Sequence, residues 1–318
     1  MKKILFIGFQ HVYSRVCLSK YIQAENVFFY EGTGKGKLTC RLQKIHCCES
    51  VNKILNLPLK SVWFNDFSNA KICADDDIYF IFSKSQSWLL QYRNGQYIKQ
   101  LKRKYPKCKI ILYLWDLISS YYKFDVCFFK EKCDLVLTYD LGDSQKYEII
   151  YCPTPYSPVK IIDDSSIKQF DVYFCGKAKN RLNDIFEVYM YLKNNNMKCK
   201  FFITDVPRKQ QRFKEDITYN KRISYYQNLQ YLQKSRIVLD IVQKGSKGDT
   251  LRIKEAVTYG KKIITNNLEV RNNPYYVSNN ICIYEHLDEI RDLFLQNLIV
   301  ESYPGIKFDD LDRILKSI

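Results

Sequence analysis

No stretch of this sequence approaches the ~20 consecutive apolar residues that a bilayer-crossing helix requires. The longest apolar runs, residues 4–9 and 110–115, have the length of β-strands, so a membrane-spanning chain is not expected. The opening Met-Lys-Lys carries the charge of a signal peptide, but the apolar run that follows gives way to Gly8, Gln10 and His11, and a first strand is the expectation. There is no Cys-x-x-Cys pair, no GxxxxGK[ST] phosphate loop and no tandem repeat or low-complexity tract, which removes zinc-ribbon, redox-motif, P-loop and solenoid readings. The 12 cysteines are dispersed, with Cys175, Cys199 and Cys282 inside apolar strand-like segments, so they read as reduced thiols. Only His46, Cys47 and Cys48 cluster. Adjacent residues of a strand point to opposite faces, and no metal site is expected there.

What is present describes a globular chain of two domains. A length of 318 residues exceeds the usual single domain, and a 46% hydrophobic fraction with 26 Tyr and 19 Phe supplies two cores. The net charge is +16, spread as 23 Lys/Arg against 14 Asp/Glu over residues 1–155 and 27 against 20 over the remainder. That excess admits a nucleic acid, an anionic membrane surface or a phosphorylated substrate. Lys99, Lys102, Arg103, Lys104, Lys107 and Lys109 form a local cluster, read as a solvated helix face or a contact for acidic lipid headgroups.

Strand and helix patterns alternate in both halves. Strands are expected at 3–7, 77–82, 109–115 and 134–138, with a short one at 148–151 and a helix over 88–105 ended by Pro106. Pro153, Pro155 and Pro158, followed by Asp163, Asp164, Ser165 and Ser166, mark the boundary between halves. Strands at 170–175, 200–203, 237–241, 262–265 and 281–284 then alternate with helices at 181–194, 224–234 and 250–259. This is the grammar of two doubly wound α/β domains, 1–160 and 161–285, with two amphipathic helices in 286–318.

Ligands of such sheets bind beyond the carboxyl ends of the strands. Three post-strand loops in the second half share glycine and cationic character: Gly176 with Lys177, Lys179 and Arg181; Asp205, Pro207 and Arg208; and Gly245, Ser246, Lys247, Gly248, Asp249 and Thr250, which lead into a helix carrying Arg252. Backbone amides at that helix start, with a guanidinium in its first turn, suit a pyrophosphate. Glu255, about one turn further, could accept hydrogen bonds from ribose hydroxyls. The competing reading is a glycine-rich turn with a surface Arg–Glu pair. The segment 32–37 reads as a mobile basic loop or a part of an acceptor cleft.

Residues 251–267, LRIKEAVTYGKKIITNN, resemble the signature of GT-B glycosyltransferases of bacterial polysaccharide synthesis (lipopolysaccharide, O-antigen, capsule), of the glycosyltransferase family 4 and CgeB-like kind. DVYFCG at 171–176 with Arg181, SYY at 224–226 and SRIVLDI at 235–241 are similar to further segments of that family, as are Tyr105-Pro106 through Trp115-Asp116 and DLVLTYD at 134–140. The resemblance implies an α/β, GT-B architecture: two Rossmann-like doubly wound domains facing across a cleft, the first for the acceptor and the second for the nucleotide-sugar, with the C-terminal helices packed at the domain junction. It implies a hexosyltransferase-type enzyme whose donor phosphates are lined by Gly176 and Arg181. Tyr225 would lie by the base, Glu255 on the ribose, and Arg252 with the amides of Gly248, Asp249 and Thr250 on the pyrophosphate. Lys247 stands where many relatives carry a first carboxylate eight residues before Glu255.

An inverting transfer needs a general base. Asp116, after the strand at 109–115, is the candidate; His11, past the first strand, is its rival, and Asp140 a weaker one. Asp75, Asp76 and Asp77 precede a strand, the wrong end for a metal, so no metal or other cofactor is expected and the donor is the substrate. The expected partners are a nucleotide-sugar, a glycan or polyprenyl- or lipid-linked acceptor and an anionic membrane surface, without nucleic acid. The expected place is the cytoplasm, on the inner face of the plasma membrane. A GT-B-like nucleotide-sugar epimerase and a basic nucleic-acid-binding protein stand as alternatives.

Overall fold

The structure is a computed structural model and describes residues 2–9, 11–30, 37–55, 57–65, 67–68, 70–121, 123–297, 299–305 and 308–318. Residues 32–36 of the expected basic loop lie outside the described residues. The chain folds as two compact units: Met1–Ser157 with Asp309–Ile318, and Pro158–Phe308. Among the described residues, no helix is long and apolar enough to cross a membrane.

Unit 1 contains β1 (Lys2–Ile7), α1 (Val12–Cys17), α2 (Ser19–Ile22), β2 (Val27–Tyr30), α3 (Lys37–His46), α4 (Glu49–Ile54), β3 (Asp77–Ser83), α5 (Ser87–Lys104), β4 (Lys109–Leu114), α6 (Val126–Lys132), β5 (Leu135–Thr138), α7 (Leu141–Tyr147) and β6 (Ile150–Tyr151). Its sheet is parallel, in the order β2-β1-β3-β4-β5-β6. The central strands are apolar on both faces, as a sheet covered by helices on both sides requires. Leu5, Ile7, Phe80, Phe82 and Leu112 face one core, whereas Ile4, Phe6, Ile81 and Tyr113 face the other. The helix expected over 88–105 is broken inside: Arg93, Asn94 and Gly95 all take positive φ. Asn and Gly tolerate that left-handed conformation best, and their adjacency is the local cause of the break.

Unit 2 contains β7 (Phe170–Lys177), α8 (Leu182–Asn194), β8 (Cys199–Thr204), β9 (Ile217–Tyr219), α9 (Tyr225–Gln233), β10 (Ser235–Asp240), α10 (Leu251–Thr258), β11 (Lys262–Thr265), β12 (Ile281–Ile283) and α11 (Asp292–Gln296). All its pairings are parallel, in the order β9-β8-β7-β10-β11-β12. Strand order reverses between β7 and β10 here, and between β1 and β3 in unit 1. Loops leaving adjacent strands in opposite directions at these points open a crevice at the carboxyl edge of the sheet.

The last two helices belong to different units. α11 stays with unit 2, whereas α12 (Asp310–Lys316) returns to unit 1 and buries Leu311 and Leu315 in its second core. Asp312 accepts hydrogen bonds from Lys20, at 2.5 Å, and from the Tyr21 hydroxyl, and the Ile318 carbonyl accepts from Tyr79 at 3.0 Å. Leu311→Ala should therefore destabilise unit 1 by about 2–5 kcal/mol, read as a lower urea midpoint; an unchanged midpoint would show that α12 contributes nothing to that core.

Candidate functional site

At the switch point of unit 2, β10 ends in Asp240, whose carboxylate is fully buried. An unpaired charge there would be costly, and four donors prevent it. Thr250 Oγ1 donates to Oδ1 at 2.6 Å, Arg252 Nε to the same oxygen at 3.0 Å, and Thr265 Oγ1 to Oδ2 at 3.0 Å. Arg252 Nη2 closes the ion pair at 2.9 Å. The same guanidinium donates to the Cys175 and Ile241 carbonyls, both at 3.2 Å, and lies 5.0 Å from the Phe174 ring centre.

Arg181, just ahead of α8, approaches the same place from the other side. It donates to the Ile241 carbonyl and, at 3.2 Å, to the Lys177 carbonyl, with its guanidinium carbon 5.8 Å from the Phe174 ring. Two cations thus flank one ring with a single buried carboxylate between the strand ends. Gly176 is the residue that makes room. A Cβ there would meet Arg252 Nη1 at 3.0 Å and Arg181 Nη2 at 3.3 Å.

Glu255, one turn along α10 from Arg252, is also buried. Tyr225 donates its hydroxyl to Oε1 at 2.6 Å, and Asn228 Nδ2 lies 3.4 and 3.5 Å from the two carboxyl oxygens. Tyr173 fixes Asn228 in turn, donating to its Oδ1 at 3.0 Å. Tyr225 is placed by a capping box, in which Ser224 Oγ accepts from the Gln227 amide at 3.1 Å and Gln227 Oε1 accepts from the Ser224 amide at 2.9 Å. Burial pushes the Glu255 carboxyl up to about 7, against the lowering effects of Tyr225, Arg252 and Asn228.

The loop entering α10 is held at one end and open at the other. Gly245 takes φ +85° with open space beside its Cα, whereas the Gly248 carbonyl accepts from Asn267 Nδ2 at 3.3 Å. Asp249 turns its carboxylate inward to Asn273 Nδ2 at 3.1 Å, and burial raises its pKa while the buried Lys254 opposes the shift. Thr250 is the N-cap residue of α10 but caps it with no side-chain bond, because its hydroxyl is turned to Asp240.

The structure therefore places Gly176, Arg181, Tyr225, Gly248, Asp249, Thr250, Arg252 and Glu255 in one unit, along β7, α9 and α10 and the loops that join them. Arg252 pairs with Asp240, and the side chains of Asp249 and Thr250 bond to Asn273 and Asp240. Glu255 and Arg252 are no surface pair, since Glu255 is held by Tyr225 and Asn228. Asp240, Thr265 and Asn228 escaped sequence reasoning. No sequence signal singles them out: SRIVLD carries an arginine as well as the aspartate, and the run does not say which way either side chain turns.

In unit 1, His11 and Asp116 both follow carboxyl strand ends, those of β1 and β4, and both are exposed. Aromatic rings connect them: His11 stacks on Tyr13 at 5.5 Å, Tyr13 lies 6.2 Å from Trp115, and Trp115 is 5.2 Å from Phe9. Burial first, and then the Asp116 charge, hold the Tyr121 hydroxyl well above its usual pKa. Asp140 instead caps α7, accepting from the Asp143 amide at 2.9 Å, which makes it a structural residue. Asp76 pairs with Lys3 at 2.8 Å at the amino edge. His46 ends a helix rather than lying on a strand, and its Nδ1 accepts from Trp63 Nε1 at 2.5 Å.

No family model and no curated protein sequence matches the chain. Solved structures do. An alpha-glucosyltransferase in complex with UDP and a 13-mer DNA containing a central A:G mismatch shares 10% identity at TM-score 0.53, over 98% of this chain and 95% of that one. T4 phage BGT in complex with UDP and Mn2+ is 12% identical at TM-score 0.49, over 100% and 96%. A chain of a Glycosylation Associate Protein complex from Streptococcus agalactiae is 14% identical at TM-score 0.38; there this chain aligns over 70% of itself and spans 48% of the other. At this identity the likeness is one of fold, and the fold is GT-B: two Rossmann-like units, each built on a parallel six-stranded sheet.

Two outcomes follow from the buried charges. Arg252→Ala leaves Asp240 without its cation and should cost about 3–5 kcal/mol of stability, measured by urea unfolding; a fully stable variant would dissolve the assigned ion pair. Because the folded Glu255 carboxyl holds its proton up to about 7, above its ordinary 4.5, the folded state binds more protons than the unfolded state between those values. Its burial penalty is absent below that window and complete above it. Glu255→Gln should thus gain on the parent protein by roughly 3 kcal/mol between pH 4 and pH 8.

Proposed function

We propose that the chain is a glycosyltransferase that holds a nucleotide-sugar donor at the β7/β10 switch point of unit 2 and passes the sugar to a glycan or lipid-linked acceptor served by unit 1. The observation that carries this reading is the convergence of Arg181, Arg252, Gly176 and the start of α10 on one strand edge, with Glu255 one turn beyond. Arg181 and Arg252, with the amides of the first turn of α10, would offer charge-assisted hydrogen bonds to a diphosphate. Gly176 lets that diphosphate approach the backbone. An ionised Glu255 would accept hydrogen bonds from ribose hydroxyls, with Tyr225 beside the base.

In the transfer, an acceptor hydroxyl oxygen forms a bond to the anomeric carbon while the bond from that carbon to the phosphate oxygen breaks, and the nucleoside diphosphate leaves with the electron pair. The acceptor proton passes to Asp116, with His11 as the rival base. Arg181, Arg252 and the α10 amides stabilise the leaving diphosphate, which is the task a metal performs elsewhere. Surface polysaccharide synthesis, with the protein in the cytoplasm at an anionic membrane surface, completes the reading.

A second acceptor is favoured by one observation. The alpha-glucosyltransferase of this fold was described with DNA, and a net charge of +16 suits a polyanion. A DNA acceptor requires retention of duplex DNA that falls steeply with salt.

Thermal unfolding in the presence of UDP-, GDP-, dTDP- and CMP-sugars should raise the melting temperature with one nucleotide class; the absence of any shift, with calorimetry showing no nucleoside diphosphate binding, removes the proposal. Gly176→Val should weaken nucleotide affinity about tenfold or more by forcing both guanidinium groups aside. For Asp116→Asn, donor binding should persist while transfer falls by about 10²–10⁴. Full turnover in that variant would move the base to His11 or indicate a retaining reaction.

A further inference from the structure

α3 is amphipathic in the inverted sense. Its inward position is taken by a polar residue, Gln43 at 5% exposure, with Thr39 and His46 half-buried one turn to either side. The aliphatic residues at matching spacing point to solvent: Leu38 is 71% exposed, Leu42 51% and Ile45 59%. Residues three and four apart share one helix face, so these three form a single stripe. The neighbouring α4 ends on Ile54 and Leu55, which are exposed as well.

Polar bonds fix this orientation. Trp63 Nε1 donates to His46 Nδ1 at 2.5 Å, and Asn52 Nδ2 donates to the His46 and Cys48 carbonyls at 2.8 and 2.9 Å. A rotation of α3 that buried its leucines would break the bond to Trp63 and leave Gln43 in the open. The stripe is therefore the outward face of the folded unit, and solvated aliphatic surface of this extent marks an interaction site.

Charge selects the occupant. Over α3 and α4 the sequence has Lys37, Arg41, Lys44 and Lys53 against the single carboxylate of Glu49, and Arg41 is exposed beside the stripe. A second copy of the chain would bring the same excess to the contact and repel it. A nucleic acid would satisfy the cations and leave the aliphatic stripe in water. A bilayer rich in anionic headgroups satisfies both, with cations at the phosphates and the stripe at the acyl boundary.

We infer that unit 1 docks on anionic membrane through α3, with Leu38, Leu42 and Ile45 as the inserted residues and the flanking cations on the headgroups. The inference stands apart from donor chemistry, because vesicle binding requires neither a nucleotide nor turnover. A protein that floats but transfers nothing would count against the transferase reading alone.

The test is flotation of the full chain with vesicles of phosphatidylcholine alone, and with about one-third phosphatidylglycerol. The parent protein should float with the anionic vesicles only, less so as salt rises. Leu38→Ser/Leu42→Ser/Ile45→Ser should lower its partition about tenfold or more with little change in melting temperature, since these side chains are already in water. If the triple variant does not fold, Leu38→Ser alone should weaken partition several-fold. Arg41→Glu should weaken it at low salt and have less effect at high salt. A parent protein that stays with the soluble fraction overturns the inference, as does equal flotation of a folded serine variant. Self-association that the triple variant abolishes, without flotation of the parent, would assign the stripe to a second copy instead.

Discussion

A carboxylate sealed at the end of β10 is the constraint from which the geometry of unit 2 follows. Asp240 cannot be solvated, so the protein must bring its counter-charge to it, and that counter-charge comes from the helix that follows the glycine-containing loop. Thr250 and Arg252 tie the start of α10 to the strand it came from, and Thr265 ties the next strand. Once α10 is anchored there, one guanidinium must lie against Gly176, and Glu255 must face Tyr225 and Asn228.

That arrangement alters the meaning of the basic residues. Arg252, expected at a phosphate, is in its setting half of an ion pair with Asp240, and Arg181 beside it donates to the Ile241 and Lys177 carbonyls. The cost of holding Glu255 out of water has the same logic. A carboxyl held near neutrality by burial is unfavourable for folding alone, and a ligand offering hydroxyl donors would relieve it. Unit 1 has a different character. Its strand-end residues His11 and Asp116 are exposed, and aromatic rings rather than buried charges connect them.

Much of this was legible in the residues. Apolar strands separated by helical stretches announced two parallel sheets, and the rule that ligands gather past carboxyl strand ends led to Gly176, Arg181, Arg252 and Glu255. Asp240 was not legible, because its partner lies twelve residues away across a loop and nothing in a strand ending in Leu-Asp says which way the carboxylate turns. The break in α5 was written in Asn94-Gly95 but hidden by the helical spacing around it. α3 was not among the expected helices, and its orientation is a tertiary fact: polar bonds to Trp63 and Asn52 hold the face of Gln43 and His46 in and leave Leu38, Leu42 and Ile45 outside. That α12 serves the first unit is a long-range fact: only the burial of Leu311 and Leu315 against strands some 200 to 300 residues earlier discloses it.

Because residues 309–318 complete one side of unit 1, that unit is discontinuous, and its assembly has an order imposed by synthesis. A ribosome delivers the first 157 residues with Tyr21, Tyr79 and the flank of β1 lacking their cover. The whole of unit 2 must emerge before the closing helix is available. Domains usually fold as they leave the exit tunnel; in this fold part of the earlier-born unit is covered only by the later-born helix, and a nascent chain stalled in between would lack that cover over Tyr21 and Tyr79.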